Sequence, residues 1–368
     1  MCLCRNIGRR TTIIYKFMCT YNTIEEKKKY LQTQKITTSE ELWEFIKECK
    51  NNHNRVFRGV NEARYMSYTS AQVRTKASLD QPSYVNIISE AIREVRKSTL
   101  LMNYLRKYSK DETDFQILAL LQHYGCGTPI LDYSTSIDSA LFFATDRQGK
   151  AIQNYPKDDE SIDAFISIYY FDKRDPNHCS VQEFSARDFE KINEYDAELA
   201  KEYGSQYKGI SEQTRISLER LPFEEMAQLD KGGLFTVLGH SNGIIHYRVG
   251  DMDVEYDINN ERIKAQDGLF LFNGLSKVPY EKADYDWYSG IKNHCVDIHK
   301  SLEREIVHYL EKEGITCCSI YPQTKESKAI IKELRKLNID ERLKPKPVVC
   351  KKKCLIVAVW NWLKRIMN

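Results

Sequence analysis

The stretch LALLQHYGCGTPILDYSTSIDSALFFATD, residues 118–146, decides the fold because it joins two apolar helices through a polar turn. The first helix is predicted to begin at Asp114, which is suited to cap it, and to stop at Gly125. The second is predicted over SALFFATD, whose apolar side chains are dense enough to be buried in a core. Polar residues are concentrated between these helices, so a candidate site is expected there.

The polar turn between the two helices carries Asp132 and the run Ser134, Thr135 and Ser136. The start of a helix has backbone N–H groups without intrahelical partners and the positive end of the helix dipole. The turn is therefore a candidate for holding a phosphate or a carboxylate. The alternative is that Ser136 only caps the second helix and Asp132 only stabilises the turn.

A second candidate lies upstream in VFRGV, residues 56–60, which is predicted to be a strand. Arg58 in such an apolar run needs an acceptor, and a phosphate or a carboxylate suits the planar guanidinium best. Gly59 would allow a ligand or a backbone segment to approach closely. The alternative is a structural salt bridge between Arg58 and an acidic residue such as Asp132.

His123 is the histidine that belongs to this polar cluster. A neutral imidazole donates from one nitrogen and accepts at the other, so His123 and Asp132 are the candidate catalytic residues. We expect their side chains to line one polar cavity, with Asp132 orienting either the imidazole or residues 134–136, which we call the serine turn. The alternative is that His123 is a histidine of the core.

The rest of the chain mixes helices and strands without strict alternation, which indicates an α+β fold built as a single compact domain. A capping box at Thr38 and Glu41 opens a helix over residues 38–50, and a longer helix is predicted over 84–108. Strands are predicted at AFISIYYFD, LFTVLG, IIHYRV, LFLF and ITCCSIYP, and helices at residues 187–203, HKSLEREIVHYLEKEG and KAIIKELRKLN.

Charge and cysteine content limit the classes of function. The net charge is +3, but residues 1–17 and 344–368 carry four and seven basic groups with no acid, which leaves the segment between them with an excess of eight acids. Such an acidic body is a poor partner for duplex DNA. Eleven cysteines without a C-x-x-C pair predict free thiols, no metal site and a cytoplasmic location.

VFRGV followed by QHYG, TPILDYSTS and ALFFATD closely resembles the FRG domain, a family named for an aromatic-Arg-Gly motif. The motifs match in order and separation, and LEREIVHYLEKEGITCCSIYP resembles the closing elements of the family. The resemblance implies an FRG domain over residues 36–340. An N-terminal extension over residues 1–35 and a basic apolar tail over residues 341–368 would flank it.

A more distant similarity is to toxin-like ADP-ribosyltransferases, which have an aromatic-Arg pair on their first strand and a later Ser-Thr-Ser motif. Phe57-Arg58 and residues 134–136 resemble these two elements in the same order. The resemblance implies an ADP-ribosyltransferase-like fold in which Arg58 and Gly59 lie at the NAD phosphates. Ser134, Thr135 and Ser136 would shape the nicotinamide pocket.

Two features of these families are absent in their usual form. In AQLDKGGLF, Gln228 is displaced and Lys231 stands where the FRG family has a glutamine. A transferase also needs a glutamate to polarise the ribose. Glu303 and Glu305 form an E-x-E, but on a helix they point about 200° apart, so neither is assigned this role.

The residues and the resemblances together predict binding of a phosphate-bearing nucleotide, with NAD as ligand or substrate, in a cleft between Arg58 and the turn at 132–136. The expected activity is that of an ADP-ribosyltransferase or an NAD glycohydrolase. It would act on an unidentified protein or nucleotide target in conflict between bacteria and their viruses. The alternative is a non-catalytic sensing or protein-interaction module in which an Arg58–Asp132 pair is structural.

The C-terminal sequence KPKPVVCKKKCLIVAVWNWLKRIMN, residues 344–368, combines lysines, an apolar run and two tryptophans. The apolar run is about half as long as the ~20 residues of a membrane-spanning helix. Tryptophan beside lysine and arginine suits the bilayer interface, so peripheral attachment to an anionic membrane is predicted. The alternatives are a short helix or strand packed on the body, and self-association.

Overall fold

The computed structural model of the chain describes residues 20–53, 55–108, 112–147, 152, 154–172, 201, 223–226, 234–237, 244–249, 252–257, 260–282 and 293–343. The predictions made for the first 19 residues, for most of residues 187–203, for Gln228 and Lys231, and for the tail beyond Leu343 lie outside the described residues. No helix within the described residues is both long and apolar enough to cross a membrane.

The strands are β1 (Leu31–Ile36), β2 (Arg55–Val60), β3 (Ile130–Ser134), β4 (Phe165–Asp172), β5 (Leu234–Val237), β6 (Ile244–Val249), β7 (Met252–Asp257), β8 (Gly268–Asn273) and β9 (Asn293–His299). Seven of them form one mixed sheet in the order β1-β9-β4-β2-β3-β8-β5. β1 runs parallel to β9, and the other neighbours in this sheet are antiparallel. β6 and β7 form a separate hairpin.

The helices in the described residues are α1 (Ile24–Lys28), α2 (Ser39–Asn51), α3 (Ser70–Arg74), α4 (Gln81–Lys97), α5 (Thr99–Tyr108), α6 (Asp114–His123), α7 (Ile137–Thr145), α8 (Phe223–Met226), α9 (Glu261–Ala265), α10 (Glu303–Lys312), α11 (Cys317–Ile320), α12 (Lys325–Leu337) and α13 (Ile339–Leu343). The predicted capping box of Thr38 and Glu41 opens α2. Helices combined with a mixed sheet confirm the predicted α+β class of a single domain.

Helices contact one face of the sheet in two groups. α6 packs against β3, and its apolar core includes Ile130, Phe270 and Phe272 from the sheet together with residues of α4, α5 and α12. α2, α7 and α10 form a second core with Phe57 and strand residues of β4 and β9. The boundary between the two cores falls between β2 and β3.

The opposite face holds a buried ion pair that ties the N-terminal part of the chain to the sheet. Lys27 on α1 and Asp297 on β9 are fully buried, and Lys27 Nζ lies 2.5 Å from Asp297 Oδ1. Lys27 Nζ also donates a hydrogen bond to Ser167 Oγ at 2.8 Å. With Tyr21 in the same core and β1 in the sheet, the fold begins earlier than the boundary predicted at residue 36.

Four local predictions differ from the structure. The segment predicted as a polar turn between α6 and α7 contains strand β3, Ile130–Ser134, which pairs with β8 along its whole length. The helix predicted over residues 84–108 is two helices, because extended backbone at Ser98 ends α4 and its hydroxyl accepts a hydrogen bond from the N–H of Leu101 in α5. Thr113, not Asp114, caps α6, through a capping box with Gln116. ITCCSIYP contains helix α11 rather than a strand, because Thr316 caps a helical turn there.

Candidate functional site

The sheet is weakly paired between β2 and β3. Among the described residues, only Phe57 and Ser134 are paired across this junction, whereas the other neighbouring strands of the sheet share four to six residue pairs. Arg58 and Gly59 pair with β4 on their other side but not with β3. We call the unpaired stretch between Arg58-Gly59 and residues 130–133 the seam.

Arg58 bridges the seam through the backbone of β3. Its Nη1 donates a hydrogen bond of 2.9 Å to the carbonyl oxygen of Asp132. Its Nε is buried and has no hydrogen-bond partner within the part of the chain that the structure describes. The contact between Arg58 and Asp132 is therefore a hydrogen bond to a carbonyl oxygen rather than the salt bridge considered from the sequence, and one N–H donor of the guanidinium is left over.

The Asp132 carboxylate is held by a chain of polar contacts. Gln122 Nε2 donates a hydrogen bond of 2.7 Å to Asp132 Oδ2. Gln122 Oε1 in turn accepts hydrogen bonds from Thr128 Oγ1 and from Ser70 Oγ, the latter at 2.9 Å. Burial raises the pKa of Asp132, while the Arg58 guanidinium and the hydrogen bond from Gln122 act to lower it. The result is a positioned carboxyl group with a pKa above that of an ordinary aspartate.

His123 is part of the core. Its side chain is 8% exposed, and its ring packs edge-on against Phe270 with the centroids 5.0 Å apart. Burial, and secondly the Arg262 guanidinium, lower the pKa of His123 to about 3. An imidazole with this pKa is neutral near pH 7 and poorly matched to acid-base catalysis there.

His123 and Asp132 lie on the same face of the sheet, because Asp132 is the register partner of Phe270. The side chain that donates a hydrogen bond to the Asp132 carboxylate is nevertheless Gln122. The sequence predicts a role for the histidine of QHYG, but in the structure the glutamine before it holds the Asp132 carboxylate. Periodicity alone does not reveal this exchange of roles.

The hydroxyl groups of the serine turn contact protein groups. Ser134 is buried, donates to the carbonyl oxygen of Gln266 at 2.7 Å and accepts from the N–H of Ser136 at 2.9 Å. Thr135 donates its N–H to the carbonyl oxygen of Asp267 at 3.0 Å. Ser136 Oγ accepts from the N–H of Ser139 and thereby caps α7. For Ser136, these contacts match the capping alternative.

Gly59 lies directly beneath helix α7. A Cβ atom built on Gly59 would stand 1.8 Å from the carbonyl oxygen of Ala140 and 2.8 Å from the N of Ala144. Only glycine can occupy this position without displacing the helix backbone. The close approach predicted for Gly59 is therefore made by α7, which packs across β2.

The two candidate glutamates of α10 point to different neighbours. Glu303 is buried and forms an ion pair with Arg147, and burial raises its pKa. Glu305 accepts hydrogen bonds of 2.7 Å from Ser39 Oγ and from Trp43 Nε1 on α2. Both carboxylates already have partners in the protein, so neither projects towards the seam as a ready catalytic group.

Phe142, Phe143 and Tyr321 form an aromatic cluster that the sequence motifs do not indicate. Burial raises the pKa of Tyr321, and the charges of Asp146 and Asp132 add to this rise. Phe142 and Phe143 contact the Tyr321 ring edge-on, with centroids 6.1 and 6.2 Å away. All three aromatic residues are partly exposed. In the sequence, ALFFA indicates only a buried helix, which is why this cluster was missed.

Comparison with known families gives a match to part of the chain. Residues 53–152 match the family model of the FRG domain. The matched segment carries Arg58, the α6 residues that hold Asp132, strand β3 and helix α7, so it includes both sides of the seam. No curated protein and no solved structure has a significant match to the chain.

Proposed function

We propose that the FRG segment binds a phosphate-bearing nucleotide at the seam, with NAD as the ligand or substrate. The observation that carries this proposal is Arg58: a guanidinium beside the unpaired stretch of the sheet, one buried N–H of which has no partner among the described residues. A buried N–H without an acceptor costs about 1–3 kcal/mol. A phosphate oxygen at Nε would remove that cost through a charge-assisted hydrogen bond.

Asp132 is the residue that we assign to chemistry on the bound nucleotide. In cleavage of NAD, the bond between ribose and nicotinamide breaks, its electron pair leaves with nicotinamide, and a water or target oxygen bonds to the ribose. Asp132 is positioned by Gln122 and accepts the proton of that nucleophile. Its raised pKa brings it closer to the value suited to a general base near neutral pH.

Titration calorimetry of the full chain with NAD tests the binding step. Arg58→Lys keeps a positive charge but cannot present the planar set of donors, so we expect the affinity to fall at least tenfold. Arg55→Lys is the matched control, because Arg55 lies on the same strand, pairs with Glu48 and stacks on Tyr170 away from the seam. Unchanged NAD affinity of a folded Arg58→Lys variant would overturn the proposal.

Release of nicotinamide from NAD tests the catalytic step. The wild-type chain is expected to release nicotinamide and to transfer ADP-ribose either to water, as an NAD glycohydrolase, or to a target, as an ADP-ribosyltransferase. Asp132→Asn should abolish release while NAD still binds. Growth arrest of bacteria on expression of the wild-type chain, but not of Asp132→Asn, is the expected result for an effector in conflict between bacteria and their viruses.

The second candidate function is a non-catalytic sensing or interaction module. It is favoured by the contacts of the serine turn and of Gly59, which are made to the protein itself. NAD binding without nicotinamide release, unchanged by Asp132→Asn, would support this second function and exclude the enzymatic one.

A further inference from the structure

Arg58 lies between two tyrosines on one face of the sheet. In the register of β2 with β4, Tyr169 is the partner of Arg58. Tyr133 takes the corresponding place across the seam, because the register that pairs Phe57 with Ser134 brings the next residues of these antiparallel strands opposite each other. Side chains of residues that face each other on neighbouring strands lie on the same face of a sheet.

The packing of Tyr133 agrees with this placement and holds its ring. Tyr133 is 5% exposed and shares an apolar cluster with Val56 and Phe171. Val56 lies two residues before Arg58 on β2 and pairs with Phe171, so both belong to the face of Arg58. The rings of Tyr133 and Phe171 are 5.5 Å apart. The Arg58 guanidinium binds the carbonyl oxygen of Asp132, in the peptide group that leads into Tyr133, so the two side chains start from adjoining positions.

The two tyrosines differ in what their hydroxyl groups bind. The Tyr169 hydroxyl donates a hydrogen bond of 2.8 Å to the carbonyl oxygen of Tyr65. The Tyr133 hydroxyl donates no hydrogen bond within the part of the chain that the structure describes, although the residue is buried. Arg58 Nε is likewise without an acceptor there. Two donors on facing residues are thus available to one acceptor that comes from outside the described residues.

We propose that Tyr133 is a second phosphate-binding residue, whose hydroxyl donates a hydrogen bond to the phosphate group that Arg58 binds through Nε. This inference rests on the proposed function of Arg58, concerns the binding step alone, and adds the face of the sheet on which the phosphate lies. Hydrogen bonds to an ionised phosphate are stronger than those between neutral groups. The several oxygens of the phosphate allow an N–H donor of β2 and an O–H donor of β3 to bind it together.

Tyr133→Phe tests this inference because it removes the hydroxyl and keeps the ring. Titration calorimetry of the full chain with NAD, and with adenosine as a ligand without phosphate, measures the effect. Losing a hydrogen bond to a charged group corresponds to roughly a tenfold to hundredfold loss of affinity. We expect Tyr133→Phe to bind NAD at least about tenfold more weakly than the wild type and to bind adenosine, if the wild type does, with an affinity within about threefold.

Tyr169→Phe is the matched control, because Tyr169 flanks Arg58 on the same face but its hydroxyl is bound to the carbonyl oxygen of Tyr65. It should bind NAD as the wild type does and melt at a lower temperature, since it leaves that carbonyl oxygen without its donor. Tyr133→Phe should not melt below the wild type, because it removes a hydroxyl that donates no hydrogen bond in the described residues. Affinity and stability therefore respond in opposite ways in the two variants.

A folded Tyr133→Phe variant with the wild-type affinity for NAD would overturn this inference and leave the role of Arg58 intact. An equal loss of affinity for adenosine would also overturn it, because Tyr133 would then bind the nucleoside instead of the phosphate. A wild-type chain that does not bind NAD would instead overturn the proposed function itself.

Discussion

Replacing Gly59 with alanine separates a packing role of this residue from a ligand-binding role. The added Cβ would meet the carbonyl oxygen of Ala140 at 1.8 Å, while ordinary contact begins near 3.4 Å, so α7 would have to move away from β2 by about 1.6 Å. That movement loosens the buried contacts of Ala140, Ala144 and Phe57. Overpacking of a core lowers the free energy of unfolding by about 1–3 kcal/mol, and by more where the backbone must move. We expect Gly59→Ala to lower it by about 3 kcal/mol or more.

Thermal denaturation of Gly59→Ala beside Gly268→Ala measures this cost. A Cβ on Gly268 would have its nearest contact at 3.3 Å, so that variant should remain close to the wild type. At about 1.3 °C per kcal/mol for a chain of this length, Gly59→Ala should melt about 4 °C or more below it. A Gly59→Ala variant with the wild-type melting temperature and lost NAD binding would refute the packing role and favour direct contact between Gly59 and the ligand.

Three further predictions concern the core and the tail. Because the folded-state pKa of His123 is about 3, below the ordinary 6.5, the unfolded chain takes up this proton first. Stability present above pH 6.5 is therefore lost as the pH falls towards 3, by on the order of 4 kcal/mol. Denaturant unfolding at a series of pH values should show that the free energy of unfolding of His123→Leu falls less steeply with decreasing pH than that of the wild type. Equal dependence on pH in the two proteins would contradict burial of a neutral ring. Lys27→Met should lower the free energy of unfolding by about 3–5 kcal/mol, because it leaves Asp297 unpaired. The double variant Lys27→Met/Asp297→Asn should recover part of that stability. An unchanged unfolding midpoint for the single variant would show that the pair is not formed. Full-length chain should sediment with phosphatidylserine vesicles more than chain ending at Lys346, and equal sedimentation would exclude membrane attachment through the tail.

The sequence predicts the fold class and most of the strands because local patterns determine them. β4, β5, β6 and β8 follow from apolar runs, and α2 follows from its capping box. β1, β7 and β9 were not predicted, because LQTQKI, MDVEYD and NHCVDIH carry polar residues that alternate with few apolar ones. β3 was predicted as a turn, because ILDYS follows a proline and leads into a polar Ser-Thr-Ser run. The parallel pairing of β1 with β9 joins segments that are far apart in the sequence, and no local signal reveals it.

The candidate site is predictable only in its position. Arg58, Asp132 and residues 134–136 lie at one junction of the sheet, but the strand register places the Arg58 side chain on the face opposite to that of Asp132. Their partners depend on tertiary contacts: Gln122 rather than His123 holds Asp132, and α7 rather than a ligand lies against Gly59. The burial of Arg262 beside His123 is visible only in the folded chain, because ERIKA is an ordinary helical segment in the sequence.

The most direct test of the central claim is a crystal structure of the full chain with NAD. We predict a phosphate oxygen within about 2.7–3.0 Å of Arg58 Nε, with the Arg58 hydrogen bond to the Asp132 carbonyl oxygen retained. Density for NAD away from the seam, with Arg58 Nε bound only to water or protein, would contradict the account.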